Sequence, residues 1–298
     1  MLINDKIINR GCVDMFNTNP FSELTALISP EVMQGYIILM AILVFLGTVL
    51  DMMHKKSAKY FFENAEKAKK DAKRSVGTGE KAGIAVATLA NEVLTSGEFC
   101  NMKRRLSHLL TMYGFIIFVV ATALMIFGVD TSSGTLPMLW HIGAVMLCLG
   151  GYWFWFFIRV DVAAEGTKWY HLVRADIFIV SLFTTATFAL IWSYLQSSGS
   201  GAVADMGWTT LFFAFFIVSN TTLFASVLWS KFAHMFFKPA AAMQKRIAKA
   251  DGSNLNLPSD FDLTDPAVQA RFPDIPEYMG KNPADMGPGI RRESPNHY

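Results

Sequence analysis

Five separate stretches of this sequence stay apolar for about twenty residues each, and nothing else in it limits the fold as strongly. A helix rising 1.5 Å per residue needs about that many to cross the hydrocarbon core of a bilayer. The stretches run from about Val32 to Met53, Ser107 to Gly128, Met138 to Ile158, His171 to Leu195 and Trp208 to Phe237. The fold class that follows is an all-α integral membrane protein, a bundle of five transmembrane helices. Composition agrees. Charged residues make up 17 % of the chain, against about 25 % for an average soluble domain.

The spans divide the chain. Residues 1–31 form a mixed polar N-terminal segment without the basic start, apolar core and small-residue cleavage site of a signal peptide. The first span occupies 32–53. Residues 54–106 form a basic amphipathic loop, with a helix expected over Ser57–Val76, a break at Gly77-Thr-Gly79 and a second helix over Lys81–Leu94 ending near Gly97. The remaining four spans fill 107–237. From 238 to 298 the chain is polar and proline-spaced, and reads as a flexible tail that cannot bury enough apolar area to fold alone.

Lysine and arginine set the orientation. The 54–106 loop holds twelve of them and the tail from Lys238 holds eight. The link 159–170 has Arg159 and Lys168, whereas 129–136 and 196–206 have none. Five spans with the N-terminus outside and the C-terminus in the cytoplasm put all these basic segments on one side.

That orientation gives each histidine a depth. His108 starts span two and His234 nears the end of the last apolar run, both on the inner side. His54 and His171 lie at the inner interface, His141 is near the outer face beside Trp140, and His297 is in the tail. A b-type haem within a helix bundle takes two axial imidazoles at matching depth on facing helices. His108 and His234 meet that condition, and His171 meets it less well. The outer half offers only His141, so the chain can supply at most one bis-histidine haem b, with iron ligands His108 and His234. The same histidines also fit headgroup contacts or interhelical hydrogen bonds, and His141 fits an interfacial aromatic belt. Asp176 and Lys231 lie deeper and have opposite sign. They suit an ion pair that offsets the cost of burial, or a polar pocket for a quinone head. Lys103-Arg104-Arg105 suits lipid phosphates or haem propionates.

Other chemistry is excluded or unsupported. The cysteines Cys12, Cys100 and Cys148 form no C-x-x-C, so this chain alone builds no iron–sulfur cluster. There is no P-loop, dinucleotide-binding glycine motif, G-x-S-x-G or H-E-x-x-H. No inverted repeat of broken helices marks a transporter, though a transport subunit using Asp176 and Lys231 stays open.

Two motifs carry a resemblance. Arg104-Arg-Leu-Ser-His108-Leu-Leu-Thr-Met-Tyr-Gly114-Phe and Lys231-Phe-Ala-His234 followed by Pro239 resemble the nitrate reductase gamma-subunit superfamily of haem b membrane subunits. The resemblance covers about residues 35–240. It implies electron transfer between the quinone pool and a cytoplasmic redox partner in the bacterial inner membrane. Two-haem members carry a further histidine on each of these spans, where this chain has Phe118 and Phe216, so it implies one haem here. The reduced ligand set, long basic loop and proline-rich tail are similar to the membrane anchors that accompany dissimilatory adenylylsulfate reductase, a flavin and iron–sulfur enzyme. On that resemblance the chain holds the reductase at the membrane and is not an enzyme by itself. A cofactor-free anchor of the same kind is the alternative.

Overall fold

The computed structural model describes residues 15–55, 62–63, 65–67, 69–97, 99, 101–161, 166–199, 201–229, 232, 234–253 and 266–271. Among these residues there are helices and turns and no strand. The helices are α1 (Pro30–Lys55), α2 (Thr78–Thr88), α3 (Met102–Ile126), α4 (Thr135–Trp153), α5 (Ile177–Ser197), α6 (Trp208–Ala225), α7 (His234–Asp251) and the short α8 (Pro266–Arg271). Five segments are long and apolar enough to cross a membrane: Pro30–Met53, Met102–Ile126, Thr135–Ile158, Arg174–Ser197 and Trp208–Ala225. This is the construction of a multi-pass membrane protein. The chain divides into two compact units, Met1–Asp51 with Leu106–Phe157 and Leu172–Ala233, and Met52–Arg105 with Ile158–His171 and His234–Tyr298.

In the first unit, backbones approach closely wherever glycine allows it. Lipid tails are as apolar as leucine, so helices in a bilayer associate through tight packing and interhelical hydrogen bonds. A Cβ on Gly114 of α3 would lie 2.9 Å from the carbonyl oxygen of Gly143 in α4, and one on Gly143 would lie 2.8 Å from the amide nitrogen of Phe118. Two α4 turns further, Ser107 donates its hydroxyl to the Gly150 carbonyl at 2.8 Å. Gly151 of α4 lies under Phe183 of α5, where a Cβ would meet the phenylalanine Cβ at 2.7 Å. The outward faces are apolar and exposed, as in Phe45 at 68 % and Val218 at 62 %. Contiguous apolar surface of this kind suits lipid rather than water.

Two expectations change here. The N-terminal segment reads as polar, yet residues 15–28 tuck into the bundle: Leu24 is 1 % exposed, Phe21 stands edge-on to Trp140 and Trp192, and Gln196 donates to the Pro20 carbonyl at 3.0 Å. The last apolar run is not one helix to Phe237. Helix α6 ends at Ala225, and Ser226–Trp229 turn away. Val227 is fully buried against Gly47 of α1, where a glycine Cβ would clash at 2.8 Å. Phe232, 2 % exposed, packs against Phe115, Phe178 and Phe224. Seating these two side chains outweighs continuing the helix. Pro239 therefore does not end the span. It is the sixth residue of α7, past the first turn, where it withdraws one amide from the i→i−4 ladder without ending the helix.

The second unit joins the basic loop to the start of the tail. Gly77 precedes α2, with the Lys81 amide bonding to its carbonyl at 2.9 Å. The helix continues as a wider turn over Leu89–Leu94 and is closed by the Gly97 amide on the Asn91 carbonyl at 2.7 Å. Helix α7 packs along it, with Ile247 and Ala248 buried. Arg246 pairs with Glu92 at 2.6 Å. The last carbonyls of α7 are capped from the loop: the Lys73 amide donates to Asp251 at 2.8 Å and the Arg74 Nε to Ala250 at 2.7 Å. These bonds satisfy acceptors that a helix C-terminus leaves open. The tail is thus structured as far as residue 253. The expectation of flexibility beyond it lies outside the described residues except at α8. The first loop helix is also shorter than expected, because its described part gives way to a single 3₁₀ turn at Lys69–Asp71.

Candidate functional site

His108 stands in the second turn of α3, half-buried and with an interaction partner. His234 is the first residue of α7, and its side chain lies outside the described residues, as does Lys231 altogether. The two expected ligands therefore belong to different helices and different compact units, His108 to the first and His234 to the second. His54 closes α1, with its side chain also outside the described residues. Among the described residues no three His, Cys, Asp or Glu side chains gather to hold a metal ion. An axial imidazole pair needs only two.

His141 occupies a different environment from the one its sequence position suggests. It is 0 % exposed, not part of an exposed aromatic belt. Nδ1 is 2.7 Å from the Pro137 carbonyl and Nε2 is 2.8 Å from the Ser193 hydroxyl. The carbonyl only accepts, so Nδ1 carries the proton and Nε2 accepts from Ser193. Phe16 and Trp140 enclose the ring. Iron ligation would cost the bond that ties α4 to α5. His171 is exposed, and the fold uses its backbone: its carbonyl accepts from Nη2 of Arg159, whose Nη1 donates to the Lys168 carbonyl at 2.9 Å. Arg159 itself is 1 % exposed. A buried guanidinium closing the loop 159–171 is a structural role that charge counting alone does not reveal.

Asp176 does not lie a turn inside span four. It ends the 3₁₀ turn Arg174–Asp176 that opens α5. Its Oδ2 accepts the Val173 amide at 2.9 Å, and its own amide donates to the Val173 carbonyl at 2.9 Å. A carboxylate at a helix N-terminus is favoured by the exposed N–H groups and the helix dipole. That accounts for a 7 % exposed acid without a quinone. In the basic triplet, Arg104 lies over the Phe99 ring, 5.4 Å from its centroid, and Arg105 donates to the Thr95 carbonyl at 2.6 Å. Lys238 approaches the same Phe99 ring at 5.5 Å.

Phe118 and Phe216 are 4 % and 3 % exposed. Phe118 stacks on Trp140 with centroids 5.1 Å apart, and Phe216 on Trp192 at 5.5 Å. Trp140 donates its indole N–H to Thr122 at 2.8 Å. Aromatic side chains thus fill the positions where the two-haem resemblance would place further ligands.

The same two phenylalanines line a cavity of about 370 Å³ between α1, α3 and α6, covered by the turn around Phe21 and Leu24. Its polar side chains are Tyr36, Thr122 and Asn220; the Tyr36 hydroxyl is 2.9 Å from Thr221 Oγ1 and accepts from Asn220 Nδ2 at 3.0 Å. Sequence reasoning passed over this group. The available signal was Asn220, the single amide in the apolar run Trp208–Ala225; polar side chains in such runs are costly unless partnered.

Comparison of the chain with protein families, curated proteins and solved structures finds no match.

Proposed function

We propose that this chain is a membrane anchor and electron-transfer subunit that links a cytoplasmic redox enzyme to the quinone pool through one haem b. The observation that carries the reading is His108, a half-buried imidazole in the second turn of a membrane-length helix. His141, by contrast, is committed to Pro137 and Ser193. His234, in the K-F-x-H motif, is the proposed second ligand. A bound haem would accept and pass on single electrons. The chain's own residues would hold it, with Ser107 fixing the α3 turn beside His108 through its bond to Gly150. The proposed partner is a flavin and iron–sulfur reductase, adenylylsulfate reductase on the resemblance of the motifs, bound at the cytoplasmic face of a bacterial inner membrane. In this reading the N-terminus is outside, following the lysine and arginine bias.

The test is a pyridine haemochrome and a reduced-minus-oxidised spectrum of the purified chain, wild type beside His108→Ala and His234→Ala. One haem b per chain, lost in both variants, is expected. A well-folded wild type without haem would remove the redox role. A cofactor-free anchor is the second reading, and the α2–α7 pairing favours it, because that structured surface requires no cofactor. The transport reading has less support from Asp176, whose carboxylate accepts the Val173 amide in the turn that precedes α5.

A further inference from the structure

We propose that the cavity between α1, α3 and α6 binds the ring head of a membrane-dissolved quinone through the side-chain amide of Asn220. This deepens the quinone-linked reading above and rests on it, but the cavity's lining does not include Asp176.

The proton inventory leads to Asn220. Thr221 donates its one hydroxyl proton to the Ile217 carbonyl at 2.7 Å. It must therefore accept from Tyr36. Tyr36 has then spent its proton, so it accepts from Asn220 Nδ2. This one-way chain fixes the orientation of the amide. Thr122, also in the wall, donates to the Phe118 carbonyl and accepts from Trp140. On Asn220, a residue only 7 % exposed, the Oδ1 acceptor and the second Nδ2 hydrogen stay open among the described residues, and Asn220 holds the cavity's one open donor. A buried amide with unmade bonds is unstable unless something completes them.

The walls say what that can be. They are apolar and aromatic, with Phe21, Phe118, Phe213 and Phe216 presenting rings. A water would meet Asn220 and the remaining hydroxyl lone pairs of Tyr36 and Thr122 but would leave the apolar walls unfilled. An acyl chain would fill the walls and leave the amide unsatisfied. A phosphate head would bring charge, and the lining contains no Lys, Arg or His to meet it. A neutral flat ring bearing oxygens satisfies both walls and amide. The amide adds a specific match: its N–H donates to the carbonyl of the oxidised form, and its oxygen accepts from the hydroxyl of the reduced form. With no carboxylate or imidazole in the lining, the cavity binds the head and does not exchange its protons. Phe118 is ten residues beyond His108 on α3, about 15 Å along the helix.

The experiment is a titration of the purified full-length chain, in phosphatidylcholine nanodiscs, with decyl-ubiquinone, read as quenching of tryptophan fluorescence. Trp140 and Trp192 stack on two of the lining phenylalanines and serve as reporters. Saturable quenching is expected in the wild type. Asn220→Leu, which removes the amide, and Ile217→Phe, which keeps it but fills the cavity, should each raise half-saturation tenfold or more. Thr222→Val, on the exposed side of the same helix, should leave it unchanged. The proposal is overturned by wild-type quenching no greater than diffusion in the bilayer produces, or by Asn220→Leu and Ile217→Phe saturating like the wild type. The haem assay on the same wild-type sample separates the two ideas. A wild type that binds decyl-ubiquinone but holds no haem retains the cavity and sinks the electron path; a wild type that holds haem without saturable binding sinks the cavity alone.

Discussion

Each of the two compact units is stabilised internally by different physics. The first excludes side chains from its crossings: Gly114, Gly143 and Gly150 bring α3 and α4 into backbone contact, and Ser107, Trp140 and His141 add interhelical hydrogen bonds. The second relies on charge and capping, with Arg74 and Arg246 joining loop to helix. A bilayer offers no hydrophobic drive between helices, so shape decides. Water screens charge, so the second unit needs caps and several weak contacts. Damage to one unit should therefore differ in kind from damage to the other.

The largest effect is expected at the glycine crossing. Gly143→Ala drives a methyl into the Phe118 backbone at 2.8 Å, and neither helix can yield locally. Overpacking of this sort costs about 1–3 kcal/mol, sometimes more. Gly143→Leu should abolish recovery of monodisperse protein in mild detergent. Gly114→Ala meets the same crossing from the other side. Once one substitution has parted the helices the second costs less, so the double variant should lose less stability than the two singles summed. Strict additivity would mean that the two glycines do not share one contact.

His141 comes next and sharpens the contrast with His108. His141→Ala leaves a cavity and strips Ser193 of its partner, for roughly 2–4 kcal/mol of lost stability. Its haem content, where the chain holds haem, should be that of the wild type. Loss of haem from this variant at unchanged fold would make His141 a ligand and reverse the assignment. The sequence could not foretell this outcome. His141 and Trp140 read as an outer aromatic belt because hydropathy reports depth and not which way a side chain faces. Their burial depends on where Ser193 and Thr122 arrive from other helices.

The same limit explains what else was readable. Runs of apolar residues sufficed for α1, α3, α4 and α5, and Gly77 and Gly97 for the limits of the second loop helix. The end of α6 was not readable, since it depends on Val227 meeting Gly47 and Phe232 meeting three other rings. Nor was the pairing of α2 with α7, because Glu92 and Arg246 are 154 residues apart and nothing local to either charge names its partner. For the candidate site, the sequence supplied His108 and the substitution of Phe118 and Phe216. Tyr36 and Asn220 were legible only as isolated polar residues.

Smaller effects belong to the second unit. Arg246→Glu should speed amide exchange in α7 in a hydrogen-exchange experiment, and adding Glu92→Arg should restore protection. The pair is a quarter to a third exposed, so about 0.5–1 kcal/mol is at stake. Exchange in α4 and α5 should not change. If it does, the two units are not independently stabilised.

The smallest effect is one of pH. Arg74 hydrogen-bonds Glu80 through both terminal nitrogens, and that bond holds the Glu80 carboxyl below the ordinary glutamate range while raising the Arg74 guanidinium. A carboxyl whose folded value is depressed contributes stability that is complete above its unfolded value, about 4.3, and is lost as the pH falls through the folded one. Arg74 stays charged throughout. Between pH 7 and 5 exchange at the end of α7, where Arg74 caps Ala250, should show only its intrinsic pH dependence. Below about pH 4, protection at Ala250 and Asp251 should fall as Glu80 takes up its proton and releases Arg74. Glu80→Gln should abolish that acid step, because the amide does not titrate and keeps an acceptor for the guanidinium. An unchanged step in Glu80→Gln would assign the acid sensitivity to another carboxylate and leave Arg74 holding the helix end by its backbone bond alone.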